Sequence, residues 1–237
     1  MKVSFLEFNF LNPNPKVIKN FLNNNDKKEF NLLSHSHKKD WLAGRLSLKK
    51  AFLLQTSMSS WRDIVVKKNR IGMPFIRNKR NLHCSVAHSC GVGLGVVSES
   101  KTGCDVELIR PHSQSVVHYI CSKDELKNLK LKGKPNNECI TKLWTVKEAV
   151  LKAIGKGFKY NPQLAIIKGE HNDSYDISLG SREAYKKEWK VYTYRRGKFI
   201  LAIAMPKNDS KKPKIHRYKF SELCPSKKAN HPSPTGK

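Results

Sequence analysis

Four residues in two short segments carry the chemistry this chain can offer. In Gly103-Cys104-Asp105-Val106-Glu107 two acids stand two apart, so an extended backbone points both to one side. In Trp144-Thr145-Val146-Lys147-Glu148-Ala149-Val150-Leu151-Lys152-Ala153-Ile154-Gly155-Lys156-Gly157, Glu148 and Lys152 are four apart on a helical pattern and share one face. Together they supply three carboxylates and an ammonium, which is what a divalent cation and a polyphosphate require. Taken singly, a D-x-E pair is most often a strand edge and a Lys–Glu pair a solvated helix face. The two in order are far more specific than either alone.

Positioning these groups takes strands and helices in a mixed pattern. Residues 3–11 alternate as a first strand, and 15–22 suit a short helix with proline in its first turn. Residues 37–55 show helical spacing of Trp41, Leu42, Leu46, Leu48, Phe52 and Leu53. After the Gly72-Met73-Pro74 turn come extended runs at 75–76, 82–87, 91–97 and 103–108. Helices are expected at 113–121, from the capping-box pattern Ser122-Lys123-Asp124-Glu125, and over 138–154, with Gly155 as C-terminal cap. Four strands follow at 164–168, 175–179, 189–194 and 198–205. The helix-then-strands order occurs twice without a clear sequence repeat, giving an α+β class.

The 237 residues, 38% hydrophobic, are enough to bury a core as one domain or two small ones. A net charge of +27 attracts polyanions or acidic partners. The cysteines at 84, 90, 104, 121, 139 and 224 form no C-x-x-C pair, and His83, Cys84, His88 and Cys90 match no common zinc spacing. The N-terminus is a poor signal peptide, and no apolar run approaches the ~20 residues of a membrane span. The expectation is a soluble, reduced, cytoplasmic protein without a membrane partner. Residues 207–237 hold nine Lys or Arg against two acids, with four prolines, and read as a basic, disordered tail able to touch nucleic acid non-specifically. A nucleic-acid-binding protein is the rival reading. It lacks a recognised motif, and aromatics do not interleave with the basic runs.

The two segments quoted first resemble the signatures G-x-D-x-E and W-x-x-K-E-x-x-x-K of 4′-phosphopantetheinyl transferases of the surfactin-synthetase-activating type. The resemblance covers about residues 1–206. It implies two similar α/β halves in a pseudo-twofold arrangement, here 1–103 and 104–206, with the active site between them, and a monomer. The implied activity is that of a holo-[acyl-carrier-protein] synthase. It moves the 4′-phosphopantetheine of coenzyme A to a serine of an acidic apo carrier protein (acyl, peptidyl or polyketide) and releases adenosine 3′,5′-bisphosphate. Asp105, Glu107 and Glu148 are implied as ligands of Mg²⁺, with Mn²⁺ as an alternative. Glu148 is also a candidate base, directly or through a water, and Lys152 the group that holds the pyrophosphate. Ser85-Val86-Ala87-His88-Ser89 resembles the family's S-H-S strand end, which makes His88 and Ser89 coenzyme A contacts, with Ala87 replacing a serine. Gly72-Met73-Pro74 resembles its G-K-P turn, so Gly72 and Pro74 match while Met73 removes a cation. Lys38, Lys39 and Arg45 resemble the basic helix that meets the 3′-phosphate, with a solvated helix face as the competing explanation.

Overall fold

The computed structural model describes residues 1–8, 18–79, 81–131, 136–155, 160–180, 188–209 and 211–223. It begins with strand β1 (Lys2–Glu7) and helices α1 (Asn24–Asn31) and α2 (His35–Gln55). A hairpin, β2 (Val66–Lys68) and β3 (Pro74–Ile76), precedes β4 (His83–Ser89), β5 (Val92–Ser98) and β6 (Gly103–Leu108). Helices α3 (Gln114–Ile120), α4 (Lys123–Leu131) and α5 (Asn137–Ala153) follow. The chain then runs through β7 (Ala165–His171), β8 (Ser174–Leu179), β9 (Trp189–Arg196), β10 (Phe199–Pro206), β11 (Ile215–Lys219) and α6 (Phe220–Leu223). The mixed α and β composition expected from the sequence is present.

Two sheets carry the molecule, ordered β11-β1-β5-β4 and β6-β10-β9-β8-β7. Period-2 alternation gives each sheet two apolar faces. Val3, Phe5, Leu94 and Val96 of the first pack against Cys104, Val106, Leu201 and Ile203 of the second. The opposite face of the first sheet buries Leu6 and Val97 under Leu42, Leu46, Leu48 and Phe52 of α2. The opposite face of the second buries Val191, Ala202 and Ala204 under Val146, Ala149, Val150 and Ala153 of α5. The result is a helix–sheet–sheet–helix stack. Each fully buried Leu, Val or Phe contributes about 1.5–3 kcal/mol.

Glycine sets how closely helix and sheet approach. A Cβ on Gly93 would lie 2.1 Å from the Ala43 carbonyl oxygen, and one on Gly103 would lie 1.9 Å from that of Ala149. The glycine that opens G-x-D-x-E is therefore a packing requirement: it lets the Asp105 strand lie against the backbone of α5.

Three segments depart from the sequence reading, the shortest being strand β2, since extended structure was expected only after the Gly72-Met73-Pro74 turn. Helix α1 was not expected. It is held by a capping box in which Asn23 and Asp26 bond each other's backbone, and its low apolar content hid it. The described part of 207–223 is built into the fold, not a tail. Strand β11 pairs in parallel with β1 from Val3↔Ile215 to Glu7↔Lys219. The Phe220 ring stacks on Phe8 with centroids 4.5 Å apart and is 3% exposed. A few apolar residues in a basic sequence suffice to close a sheet edge. Residues 224–237, residues 15–17 of the expected helix at 15–22 and the Lys156-Gly157 exit lie outside the described residues, while residues 19–21 of that expected helix form a turn. Among the described residues no helix is long and apolar enough to cross a membrane.

Candidate active site

The adjacent edges of the two sheets, β4 and β6, are joined by serine hydroxyls. Ser85 Oγ accepts from the Cys104 amide at 2.9 Å, and Ser89 Oγ accepts from the Leu108 amide at 3.4 Å while donating to Glu107 Oε2 at 3.1 Å. These bonds fix β6 against the turn that follows β4. That turn is a two-residue loop, Cys90-Gly91, with both φ angles positive at 48° and 81°, matching the primed hairpin turns. Asp40 Oδ1 accepts from the Gly91 amide at 2.5 Å. His88 and Ser89 are thereby held at the end of β4.

Alternation along β6 sends Cys104 and Val106 into the core between the sheets. Asp105 takes the other face, with Gly103 and Glu107, and meets α5. Lys152 Nζ donates to Asp105 Oδ1 at 2.7 Å. Glu148, one turn earlier on α5, is 2% exposed and Asp105 4%. Among the described residues, Asp105 Oδ2 and Glu148 Oε2 are buried acceptors without a hydrogen-bond partner. Such atoms are costly unless something else meets them.

The electrostatics follow from this crowding. Burial, then the Asp105 and Glu107 charges, push the Glu148 carboxyl up to about 7, against the pull of Lys152. Burial and Asp105 also raise Glu107, which Ser89, Lys152 and Arg110 partly relieve. Burial alone would lower Lys152, but Asp105, Cys104 and Glu148 together hold its ammonium above the ordinary value. His88 falls below its ordinary value chiefly by desolvation; Asp40 and Asp105 oppose the fall, and Lys152 and Lys68 add to it. The arrangement is a lysine bound to one carboxylate beside a second carboxylate that titrates near neutrality. Burial raises the Cys104 thiol to about 12, so it is packing and no nucleophile.

The structure thus brings Asp105, Glu107, Glu148, Lys152, His88 and Ser89 to one junction. The expected three-carboxylate metal cluster is not gathered in it. Among the described residues no group of three His, Cys, Asp or Glu side chains is placed to hold a metal ion. Lys152 occupies one carboxylate oxygen of Asp105, which removes a donor that such a cluster would use. Hard oxygen donors with two unpartnered buried acceptors still fit a divalent cation.

Arg45 is a correction. It is 6% exposed and its donors go to Asp26 Oδ1 at 3.0 Å, Glu29 Oε2 at 2.5 Å and the Val66 carbonyl at 3.2 Å. It is an interior ion-pair residue, and its partners on α1 were the element the sequence hid. Lys38 lies over the Phe30 ring at 5.3 Å. Lys39 lies along the Cys90-Gly91 turn, where its Cε would be 2.6 Å from a Cβ on Gly91. Gly72 has φ +85° with nothing near its Cβ position, so it serves the turn, and Pro74 opens β3. The serine stitch of β4 to β6 was missed. Ser85 and Ser89, four apart on one strand, were its only sequence signal.

A model of the 4′-phosphopantetheinyl transferase superfamily matches residues 101–204. The chain is 30% identical over 123 residues to the 4′-phosphopantetheinyl transferase psf-1 of Bacillus pumilus, covering 52% of this chain and 53% of that one. It is 30% identical over 119 residues to the 4′-phosphopantetheinyl transferase gsp of Aneurinibacillus migulanus, covering 49% and 48%. It is 31% identical over 96 residues to the 4′-phosphopantetheinyl transferase ffp of Bacillus subtilis, covering 40% and 43%. The matches span about half the length of these curated relatives. With its D-x-E strand laid against its K-E helix, the segment 101–204 belongs to the 4′-phosphopantetheinyl transferase superfamily.

Proposed function

We propose that the protein transfers the 4′-phosphopantetheine group of coenzyme A to a serine hydroxyl of an apo carrier protein. The observation that carries this reading is the junction of Asp105, Glu148 and Lys152, where a carboxyl with a pKa near 7 adjoins an ammonium. The serine oxygen forms a bond to the β-phosphorus of the coenzyme A pyrophosphate. The bond from that phosphorus to the bridging oxygen breaks, and adenosine 3′,5′-bisphosphate leaves with the electron pair. Glu148 takes the serine proton, directly or through a water. Lys152 exchanges Asp105 for the pyrophosphate and offsets the charge that gathers on the leaving oxygen.

Asp105 and Glu148, with Glu107 as third donor, would hold Mg²⁺ or Mn²⁺, which when bound supplies charge neutralisation of the pyrophosphate. His88 and Ser89 are proposed phosphate contacts beside it, and Lys39 lies along the same turn. The wider reading is of a cytoplasmic monomer whose two similar halves are related by a pseudo-twofold axis. A net charge of +27 suits an acidic carrier, whose approach it would steer.

The test is to incubate the full chain with coenzyme A, Mg²⁺ and a panel of apo acyl, peptidyl and polyketide carrier proteins, and read intact mass. Addition of phosphopantetheine to one or more carriers is expected. A protein that binds coenzyme A yet modifies none of them would overturn the reading.

A further inference from the structure

The hairpin between Val66 and Ile76 holds five cations and no acid from residue 66 to residue 79. Their placement is set by its register. Val66 pairs with Ile76, Lys67 with Phe75 and Lys68 with Pro74. Val66 and Ile76 are each 2% exposed and pack with Leu48, Phe52 and Cys84. Their face of the ribbon is therefore the inner one. Alternation puts Lys67 with the exposed Phe75 on the outer face and returns Lys68 with Pro74 to the inner face. Lys68 thus extends the inner face beyond the buried Val66–Ile76 pair, on the side of the strand that ends in His88. The charge of Lys68 is the smallest of the influences that lower His88, after burial and Lys152. Among the described residues no carboxylate lies within ion-pair distance of Lys68.

Met73 has a different task. A Cβ on Gly155 would fall 2.5 Å from Met73 Sδ and 3.1 Å from Ile71 Cδ1. The turn tip is plugged onto the C-terminal cap of α5, the helix that carries Glu148 and Lys152. Asn69 holds the tip in that shape, accepting from the Ile71 and Met73 amides at 3.1 and 2.9 Å. A thioether suits this contact; an ammonium there would lose hydration.

We propose that Lys68 is the nucleotide-phosphate cation of this site, doing from strand β2 what the lysine of a G-K-P turn would do from the tip. This rests on the transferase reading and adds a residue to its coenzyme A site. The ligand chemistry is a phosphate of the nucleotide end of coenzyme A, either the 3′-phosphate or the pyrophosphate.

The experiment is calorimetric titration of the full chain with coenzyme A and with 3′-dephospho-coenzyme A. The proteins are the wild type, Lys68→Met, Lys68→Arg and Lys67→Met. A hydrogen bond to a charged group is worth about 1.5–3 kcal/mol, or roughly 10–100-fold in affinity. Lys68→Met should lose that factor, and Lys68→Arg should keep most of the affinity. Lys67→Met removes the same charge from the outer face and should stay near wild type. Loss against coenzyme A alone assigns Lys68 to the 3′-phosphate; loss against both ligands assigns it to the pyrophosphate. Unchanged affinity in Lys68→Met overturns the proposal, as does an equal loss in Lys67→Met, which would reduce the effect to net charge. If the wild type binds neither ligand, the coenzyme A reading itself fails and this assignment with it.

Discussion

Helices α2 and α5 are built with the same devices, and only one of them carries the groups proposed to be catalytic. In each a hydroxyl bonds back to the carbonyl four residues earlier: Ser47 to Ala43 and Thr145 to Thr141, both at 2.7 Å. Two residues later each has a lysine that is 0% exposed. Lys49 donates to Asp26 and to the Phe21 and Trp61 carbonyls. Lys147 donates to Glu125 at 2.7 Å and to the Ile120 carbonyl at 2.9 Å. Both acids are also the closing residues of capping boxes, Asp26 with Asn23 and Glu125 with Ser122. Each lysine therefore pins a short polar helix to the long helix beside it.

The helices part at the next residue. In α2 it is Lys50, whose ammonium lies over the Tyr218 ring at 4.7 Å. In α5 it is Glu148, buried beside Asp105. Four residues further, α2 has Leu54 and α5 has Lys152. The lesson concerns the motif itself: in W-x-x-K-E-x-x-x-K, the first lysine is scaffold, and only the glutamate and second lysine are left for the proposed chemistry.

The largest effects should separate those roles. Glu148→Gln should lower transfer by about 10²–10⁴-fold, the usual worth of a general base. Lys152→Ala should cost about 10²–10³-fold. Lys50→Gln, at the matching position of α2, should leave single-turnover transfer near wild type. A loss at Lys50 comparable to that at Glu148 would erase the distinction between the two helices.

The buried lysines should answer in stability instead. Removing one partner of a buried ion pair costs about 3–5 kcal/mol. Lys147→Met should approach that, because Glu125 loses its cation. Lys49→Met should cost less, because Arg45 still holds Asp26. Urea unfolding measures both. Transfer per folded molecule should persist in each; a Lys147→Met protein of normal stability but little turnover would move that lysine from scaffold to catalysis. Phe220→Ala should cost about 3 kcal/mol, and a neutral result would return the segment after β10 to the status of a tail.

These contrasts also show what the sequence could reveal. Helices α2 and α5 and the strands near them are strongly periodic, so their positions were legible within a few residues. The Asp105–Lys152 junction was legible because a strand period and a helix period each put two polar groups on one side. Lys49 and Lys147 were not legible as interior residues: a lysine in a helical pattern reads as solvated until its acid is found. Asp26 sits on a helix with too few apolar residues to announce itself. Arg45 failed for the same reason, since a guanidinium near a basic run looks the same whether it faces phosphate or two hidden carboxylates. Strand β11 was masked by its charge, because a parallel edge strand needs only alternate apolar contacts and a free ladder.

The smallest effect tests whether α5 gave up stability for chemistry where α2 did not. With Glu148 raised from 4.5 to about 7 in the fold, the native state binds this proton more tightly than the unfolded chain. Its contribution to stability is full below pH 4.5 and is lost as pH rises through about 7, because the slope follows the protons bound by the unfolded state minus those bound by the native state. Glu148→Gln has no proton to lose, so metal-free variant and wild type should diverge over that window, with the variant melting higher at pH 8. Lys50→Gln should show no such pH-dependent difference. Melting curves in chelator from pH 4.5 to 8 decide it. If Glu148→Gln melts below wild type at pH 8, its buried carboxylate is well accommodated, and the helix carrying the chemistry is no more strained than the one without it.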